Sequence, residues 1–126
     1  MDNMTTDDYF GDQITTESGL TIIKFSEGTG EPPKKGNSVT VHYHGTLEDG
    51  TVFSSSIERG DEFTFQFGLG NVIRAWDEAF GIMRAGSKTR LIIPPDLAYG
   101  YKGSPDGSIP PNATITFDID LLNIRR

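Results

Sequence analysis

The residues that ordinarily do covalent chemistry are few in this sequence, and their spacing does not assemble a catalytic group. His42 and His44 stand two apart. On a strand that spacing places both rings on one face, as two ligands of a metal would be placed. Two ligands are too few, and no carboxylate is tied to the pair by sequence, so both are expected to be surface histidines and no metal is expected. The chain has no cysteine, which removes disulfides, thiol catalysis and cysteine-bearing zinc sites. There is no Walker loop, no HExxH and no Ser-His-Asp spacing of a known type. Gly68-Leu69-Gly70 lacks the third glycine of a dinucleotide fingerprint. No cofactor is expected.

What remains is aromatic. Tyr43, Phe53, Phe63, Phe65, Trp76, Tyr99 and Phe117 lie on segments whose apolar faces must converge. Taken alone, an aromatic stripe is ordinary core packing. Two details set this one apart. Tyr43, Trp76 and Tyr99 carry polar tips that a sealed core would have to satisfy. Tyr99 also stands at the start of a Gly- and Pro-rich stretch, residues 96–113, that leads to Ile109. A loop of that length inside a compact domain is usually functional.

The elements that must position these rings follow from the hydrophobic pattern. Leu20 to Phe25 is a β-branched, apolar run ended by Gly28-Thr29-Gly30-Glu31-Pro32-Pro33. From Ser38 to His44, Val39, Val41 and Tyr43 alternate with Thr40, His42 and His44, which predicts a half-buried strand. Glu48-Asp49-Gly50 reads as a turn, and a strand restarts over Thr51 to Ser54. Phe63, Phe65 and Phe67 alternate with Thr64 and Gln66 in another. Between Asn71 and Met83 the period changes: Val72, Trp76, Ala79, Phe80 and Met83 recur at steps of three and four, predicting a short amphipathic helix with Asn71 as N-cap and Gly81 weakening its end. Thr89 to Ile93 and Thr114 to Asn123 complete the strands. The connections are too short for parallel crossovers. The predicted fold is α+β, a mostly antiparallel β-sheet that covers its apolar face with one short amphipathic helix.

The 126 residues are the size of one domain, long enough to bury a core without staples. The formal net charge is −7. Asp2, Asp7, Asp8, Asp12 and Glu17 precede the first basic residue, Lys24, and without those five the rest of the chain carries about −2. Residues 1–16 are expected to form a flexible acidic arm that aids solubility, and residues 17–126 the folded domain. An acidic chain repels phosphate backbones, so no nucleic-acid partner is expected. No apolar run approaches the roughly 20 residues of a membrane span, and residues 1–16 lack the basic and apolar regions of a secretory signal. A chain complete as it stands is expected to be cytoplasmic and monomeric.

Several of these segments, in order and spacing, resemble the FKBP-type peptidyl-prolyl cis-trans isomerases. They are Val41-His42-Tyr43-His44-Gly45, the run Leu47-Glu48-Asp49-Gly50-Thr51-Val52-Phe53-Ser54-Ser55-Ser56, Val72-Ile73-Arg74-Ala75-Trp76, Pro95-Asp96-Leu97-Ala98-Tyr99-Gly100 and Ile109-Pro110-Pro111-Asn112-Ala113-Thr114. The resemblance extends from about Ser18 to Ile124. It implies an antiparallel β-sheet wrapped around one short amphipathic helix, with a pocket between helix and sheet that takes Xaa-Pro-containing polypeptides and macrolides such as FK506 and rapamycin. By resemblance, Trp76 forms the floor, Tyr43, Phe63 and Phe117 the walls, and Val72, Ile73 and Ile109 the mouth. The Ile73 N–H and the Tyr99 hydroxyl each bind a carbonyl, and Phe53 packs close to the rotating amide.

Such a pocket can catalyse rotation without acid, base, nucleophile or metal. The peptide bond is planar because resonance moves charge from nitrogen to oxygen, and rotation costs about 18–20 kcal/mol. At 90° of twist the resonance is lost and the amide is less polar. Apolar surroundings therefore disfavour the planar ground state more than the twisted one, which lowers the barrier.

The sequence departs from the family pattern in places. The family usually has an aspartate after the phenylalanine corresponding to Phe53, ordering a tyrosine and an arginine; here that residue is Ser54, which leaves Tyr43 and Arg59 without a charged partner. Asn71 stands where a glutamate is common and Ala75 where a glycine is common. The loop tip carries Ser104 and Ser108, with one apparent extra residue around Asp106. The alternative implied by Ser54 is a proline-peptide-binding module or chaperone with weak catalysis.

Overall fold

The computed structural model describes residues 12–126. Seven strands form one antiparallel sheet: β1 (Asp12–Thr15), β2 (Thr21–Ser26), β3 (Ser38–Leu47), β4 (Val52–Ser55), β5 (Phe63–Gln66), β6 (Lys88–Ile93) and β7 (Ile115–Arg125). Their order across the sheet is β1-β2-β6-β7-β3-β4, with β5 also pairing β3. Two helices accompany them, α1 (Ser56–Arg59) and α2 (Arg74–Phe80). The antiparallel sheet and the short amphipathic helix are those the sequence predicts. Residues 1–11, most of the expected acidic arm, lie outside the described residues. Its last part, Asp12–Thr15, is a strand paired with β2.

The central strands show why one face is core. Along β7, Ile115, Phe117, Ile119 and Leu121 are buried and alternate with Thr116, Asp118 and Asp120. The same alternation buries Val39, Val41 and Tyr43 on β3. Against this face lies α2, burying Ala75, Trp76, Ala79 and Phe80. A seven-residue helix is too short to hold itself in water, so this packing stabilises it. Trp76 and Phe80, four apart, stack with ring centroids 5.4 Å apart, and full burial of such a ring contributes roughly 2–3 kcal/mol.

The free edge of β3 is shared. Near its C-terminal end it pairs with β4, from His44↔Ser55 to Thr46↔Val52, and near its start with β5, from Ser38↔Gln66 to Val41↔Phe63. Where the edge passes between them, a side chain replaces the ladder: the buried Ser56 Oγ accepts from Tyr43 N at 2.7 Å. Ser55 Oγ caps α1 by accepting from Glu58 N at 3.2 Å. Both histidines end here, His42 Nδ1 2.9 Å from Ser56 Oγ and His44 Nδ1 2.9 Å from Ser55 Oγ. They brace the crossover from β4 into α1, and among the described residues no group of three His, Cys, Asp or Glu could hold a metal ion.

The helix differs from its sequence expectation at the start. The N-cap is Ile73, extended at φ −62° and ψ 152°, and no side chain caps it, so Asn71 is not the cap. Asp77 anchors the approach instead, accepting from Gly68 N at 2.9 Å and from Gly70 N at 3.0 Å. Gly45 meets a requirement of close approach. A Cβ there would stand 2.6 Å from Phe53 Cζ and 2.8 Å from Phe117 Cε1, well inside contact distance. The long loop folds partly into 3-10 turns at Pro95–Leu97 and Gly100–Lys102. Among the described residues no helix is long and apolar enough to cross a membrane.

Candidate functional site

Between α2, the inner face of the sheet and the long loop opens a cleft of about 510 Å³. Tyr43 comes from β3, Phe53 and Ser54 from β4, Phe63 from β5, Trp76 from α2 and Phe117 from β7. Val72 and Ile73 stand just before the helix, and Tyr99 and Ile109 come from the loop. All ten line the cleft. The rings meet edge to face. Trp76 and Phe117 have centroids 5.0 Å apart at 77°, Tyr43 and Trp76 5.5 Å at 74°, and Phe53 and Phe117 5.4 Å at 78°. Phe63 meets Tyr43 at 5.8 Å and 82°. Each such pair adds about 0.5–1.5 kcal/mol beyond burial, so the walls are rigid before any ligand arrives.

The polar atoms divide into those already used and those left free. Trp76 Nε1 is buried without a hydrogen-bond partner among the described residues, so the floor offers ring surface rather than a polar anchor. The Ile73 N–H precedes the first helical bonds and meets no acceptor among the described residues. The Tyr99 hydroxyl likewise has no partner there and is only half-buried. Burial first, and then the negative charge of Asp106 and the neighbouring Tyr43, push its pKa above 10.0. At neutral pH it is therefore a protonated donor.

The corner expected to lack a charged partner is closed by hydroxyls. Tyr43 Oη lies 2.9 Å from Ser54 Oγ, Arg59 Nη2 donates to Tyr43 Oη at 3.1 Å, and Arg59 Nη1 donates to Ser54 Oγ at 3.4 Å. The guanidinium also sits over the Tyr43 ring, 5.6 Å from its centroid. Ser54 thus holds the tyrosine in place, while Arg59 forms no ion pair among the described residues. Arg59 itself does not line the cleft; it reaches the cleft only through Tyr43 and Ser54.

The structure also lines the cleft with Asn71, read from the sequence as a helix cap, and with the loop-tip residues Ser104, Pro105, Asp106 and Ser108, none of which had been singled out as a contact. Their signal was the turn chemistry of Ser104-Pro105-Asp106-Gly107-Ser108. The Ser108 N–H, the Ser108 hydroxyl and the Ser104 hydroxyl, in that order of effect, lower the Asp106 pKa from 3.8 to about 2. A pKa lowered in the folded state contributes stability above 3.8 that is lost as pH falls through about 2.

A rigid, ring-lined cleft with unpaired donors at its edge and no assembled acid, base or nucleophile defines a protein that grips an apolar group and its flanking carbonyls. The family model of the FKBP-type peptidyl-prolyl cis-trans isomerases matches residues 29–122, and the chain belongs to that family. It is 49% identical over 84% of its length to the peptidyl-prolyl cis-trans isomerase Fkbp12 of Drosophila melanogaster, covering 98% of that protein. To an FK506-binding protein of Neisseria meningitidis serogroup B it is 46% identical, over 84% of this chain and 96% of that one. Among solved structures, AtFKBP13 superposes with a TM-score of 0.83 at 38% identity, covering 89% of this chain and 98% of that one. FkpA from Escherichia coli superposes at 0.84 and 39% identity over 95% of this chain, which spans 55% of the FkpA chain.

Proposed function

We propose that the cleft is the site at which this chain accelerates cis-trans rotation of Xaa-Pro peptide bonds in folding polypeptides. The observation that carries this is the pair of unpaired donors, Ile73 N–H and Tyr99 Oη, at the edge of a cleft floored by Trp76. The proline ring rests on the indole of Trp76 between Tyr43, Phe63 and Phe117, with Val72 and Ile109 closing the mouth. One carbonyl flanking the proline accepts from Ile73 N–H and another from Tyr99 Oη. The amide between them lies against Phe53 and Phe117, where water is excluded. Fixed carbonyls with an unsolvated amide favour the twisted form over the planar one, and each 1.4 kcal/mol or so of that preference is about tenfold in rate. Ser54 and Arg59 act behind the wall by fixing Tyr43.

The same rings suit the apolar body of a macrolide of the FK506 or rapamycin type, a reading supported by the FK506-binding relatives. In the cell the chain acts as a cytoplasmic monomer, which its net charge of −7 favours by mutual repulsion; fractionation and size-exclusion chromatography check both. The isomerase reading is tested with a proline peptide in a protease-coupled assay. Catalytic amounts of protein raise the isomerisation rate if the reading holds. A background rate with intact peptide binding identifies the pocket as a binding module, the reading that the missing carboxylate beside Arg59 favours.

A further inference from the structure

Among the residues lining the cleft, one carries a full charge, Asp106. The rest are rings, aliphatic side chains, hydroxyls, a proline and one amide. Its position is fixed by the loop tip. Ser104 N donates to Ile109 O at 2.9 Å, Gly107 N to Ser104 O at 3.0 Å, and Ile109 N to Ser104 Oγ at 2.9 Å. Ile109 is 3% exposed, so it anchors the tip in the cleft wall. Gly103, which starts the tip at φ +75°, has no room for a Cβ against the carbonyl of Ile109.

Inside that turn Asp106 is held through one oxygen. Ser104 Oγ and Ser108 Oγ each donate to Oδ1 at 2.8 Å, and Ser108 N donates to it at 3.0 Å. The other oxygen, Oδ2, takes none of these bonds, and no cation pairs with Asp106 among the described residues. A carboxylate stabilised by three donors stays ionised wherever the protein is folded and assayed. The tip thus presents a fixed negative charge, with one unengaged oxygen, at the mouth of an otherwise uncharged cleft. Arg59 does not itself line the cleft; its guanidinium is engaged by Tyr43 Oη and Ser54 Oγ.

We propose that Asp106 sets the substrate preference of this cleft, favouring Xaa-Pro segments with lysine or arginine next to the proline over those with glutamate or aspartate. The inference rests on the proline-binding reading above. Because Asp106 is exposed, the effect is modest and salt-dependent. The Debye length falls from about 30 Å at 0.01 M salt to about 3 Å at 1 M, so the preference is strongest at low salt and disappears at high salt.

The test uses short peptides with lysine, leucine or glutamate immediately before the proline, and a second set with the same residues immediately after it. Isomerisation is read by exchange NMR, without a protease. At low salt the lysine-to-glutamate ratio of kcat/KM is expected to be about fivefold at one position or both. Asp106→Asn brings that ratio towards one, and Asp106→Glu restores most of it. Asp120→Asn, on the outward face of the sheet, changes the net charge equally and leaves the ratio as it was. A ratio near one at both positions, or one that Asp106→Asn does not move, overturns the proposal. If even the leucine peptides show no acceleration, the isomerase reading is what fails. The charge preference is then read from peptide affinity through the fluorescence of Trp76, the single tryptophan. Equal affinity for the lysine and glutamate peptides overturns it there.

Discussion

Two concavities of nearly equal size flank the sheet and differ in everything but size. The candidate site, about 510 Å³, lies against the inner face and is walled by Tyr43, Phe63, Trp76 and Phe117. The other, about 480 Å³, lies on the outward face of β6 and β7 among Lys88, Arg90, Asp118 and Asp120. In the second every charge has a partner: Arg90 Nε donates to Asp118 Oδ1 at 2.6 Å, Arg90 Nη2 to Asp118 Oδ2 at 3.2 Å, and Lys88 pairs with Asp120 at 3.9 Å. In the first, donors are left over. The alternation of a β-strand makes both faces from the same residues' neighbours, Phe117 inward and Asp118 outward. Volume does not distinguish the two; the unpaired donors at the edge of a ring-lined surface do.

Substitutions in the inner cleft should therefore change catalysis, and those in the outer one only stability. The largest effect is expected from Gly45→Ala, which drives a methyl into the rings of Phe53 and Phe117. A loss of kcat/KM on the order of 10- to 100-fold, with about 1–3 kcal/mol of destabilisation by denaturant titration, is expected. Wild-type turnover in that variant would break the link between wall geometry and rate. Trp76→Leu keeps the site apolar but removes the flat floor; kcat/KM should drop about tenfold and stability by about 2–4 kcal/mol, with the far-ultraviolet spectrum retained. Tyr99→Phe removes one free donor and should lower kcat/KM about three- to tenfold with little change in melting temperature. An unaltered rate would remove the hydroxyl from the mechanism. Ser54→Asp supplies the carboxylate that Arg59 lacks and should raise kcat/KM about two- to fivefold. If neither turnover nor macrolide affinity moves, the hydroxyl corner already does the carboxylate's work. Asp118→Ala, at a pair that is nearly half exposed, should cost less than about 1 kcal/mol and leave the rate unaltered.

The inner face was legible in the sequence because period-2 and period-3.6 patterns report burial directly. Val39-Val41-Tyr43, the Phe63-Phe65 pair, Ile115 to Leu121 and the Trp76-Phe80 step all fell where they pack. The ring cluster followed from that convergence, and the role proposed for it in rotation rests on the motif resemblance. Features made by backbone pairing or by turns were not legible. Asp12–Thr15 has no apolar period, since its strand is defined by the exposed edge of β2. The single turn of α1 is too short to show a period. Asn71 looked like a cap by type, but the helix starts at Arg74 with Ile73 as its N-cap, and Asp77 holds the preceding loop. Ser54 read as a loss because a serine bears no charge, yet its hydroxyl lies within reach of both Tyr43 and Arg59. Asp106 gained its place in the cleft only when the loop tip closed.

The central claim is that the ring-lined cleft rotates the Xaa-Pro bond, and one measurement tests it most directly. Isomerisation of a leucine-proline peptide is followed with catalytic protein, then titrated with an FK506-type macrolide while Trp76 fluorescence reports occupancy. The account predicts acceleration that falls in proportion to occupancy and vanishes at one macrolide per chain. Acceleration that persists with the cleft filled would contradict it.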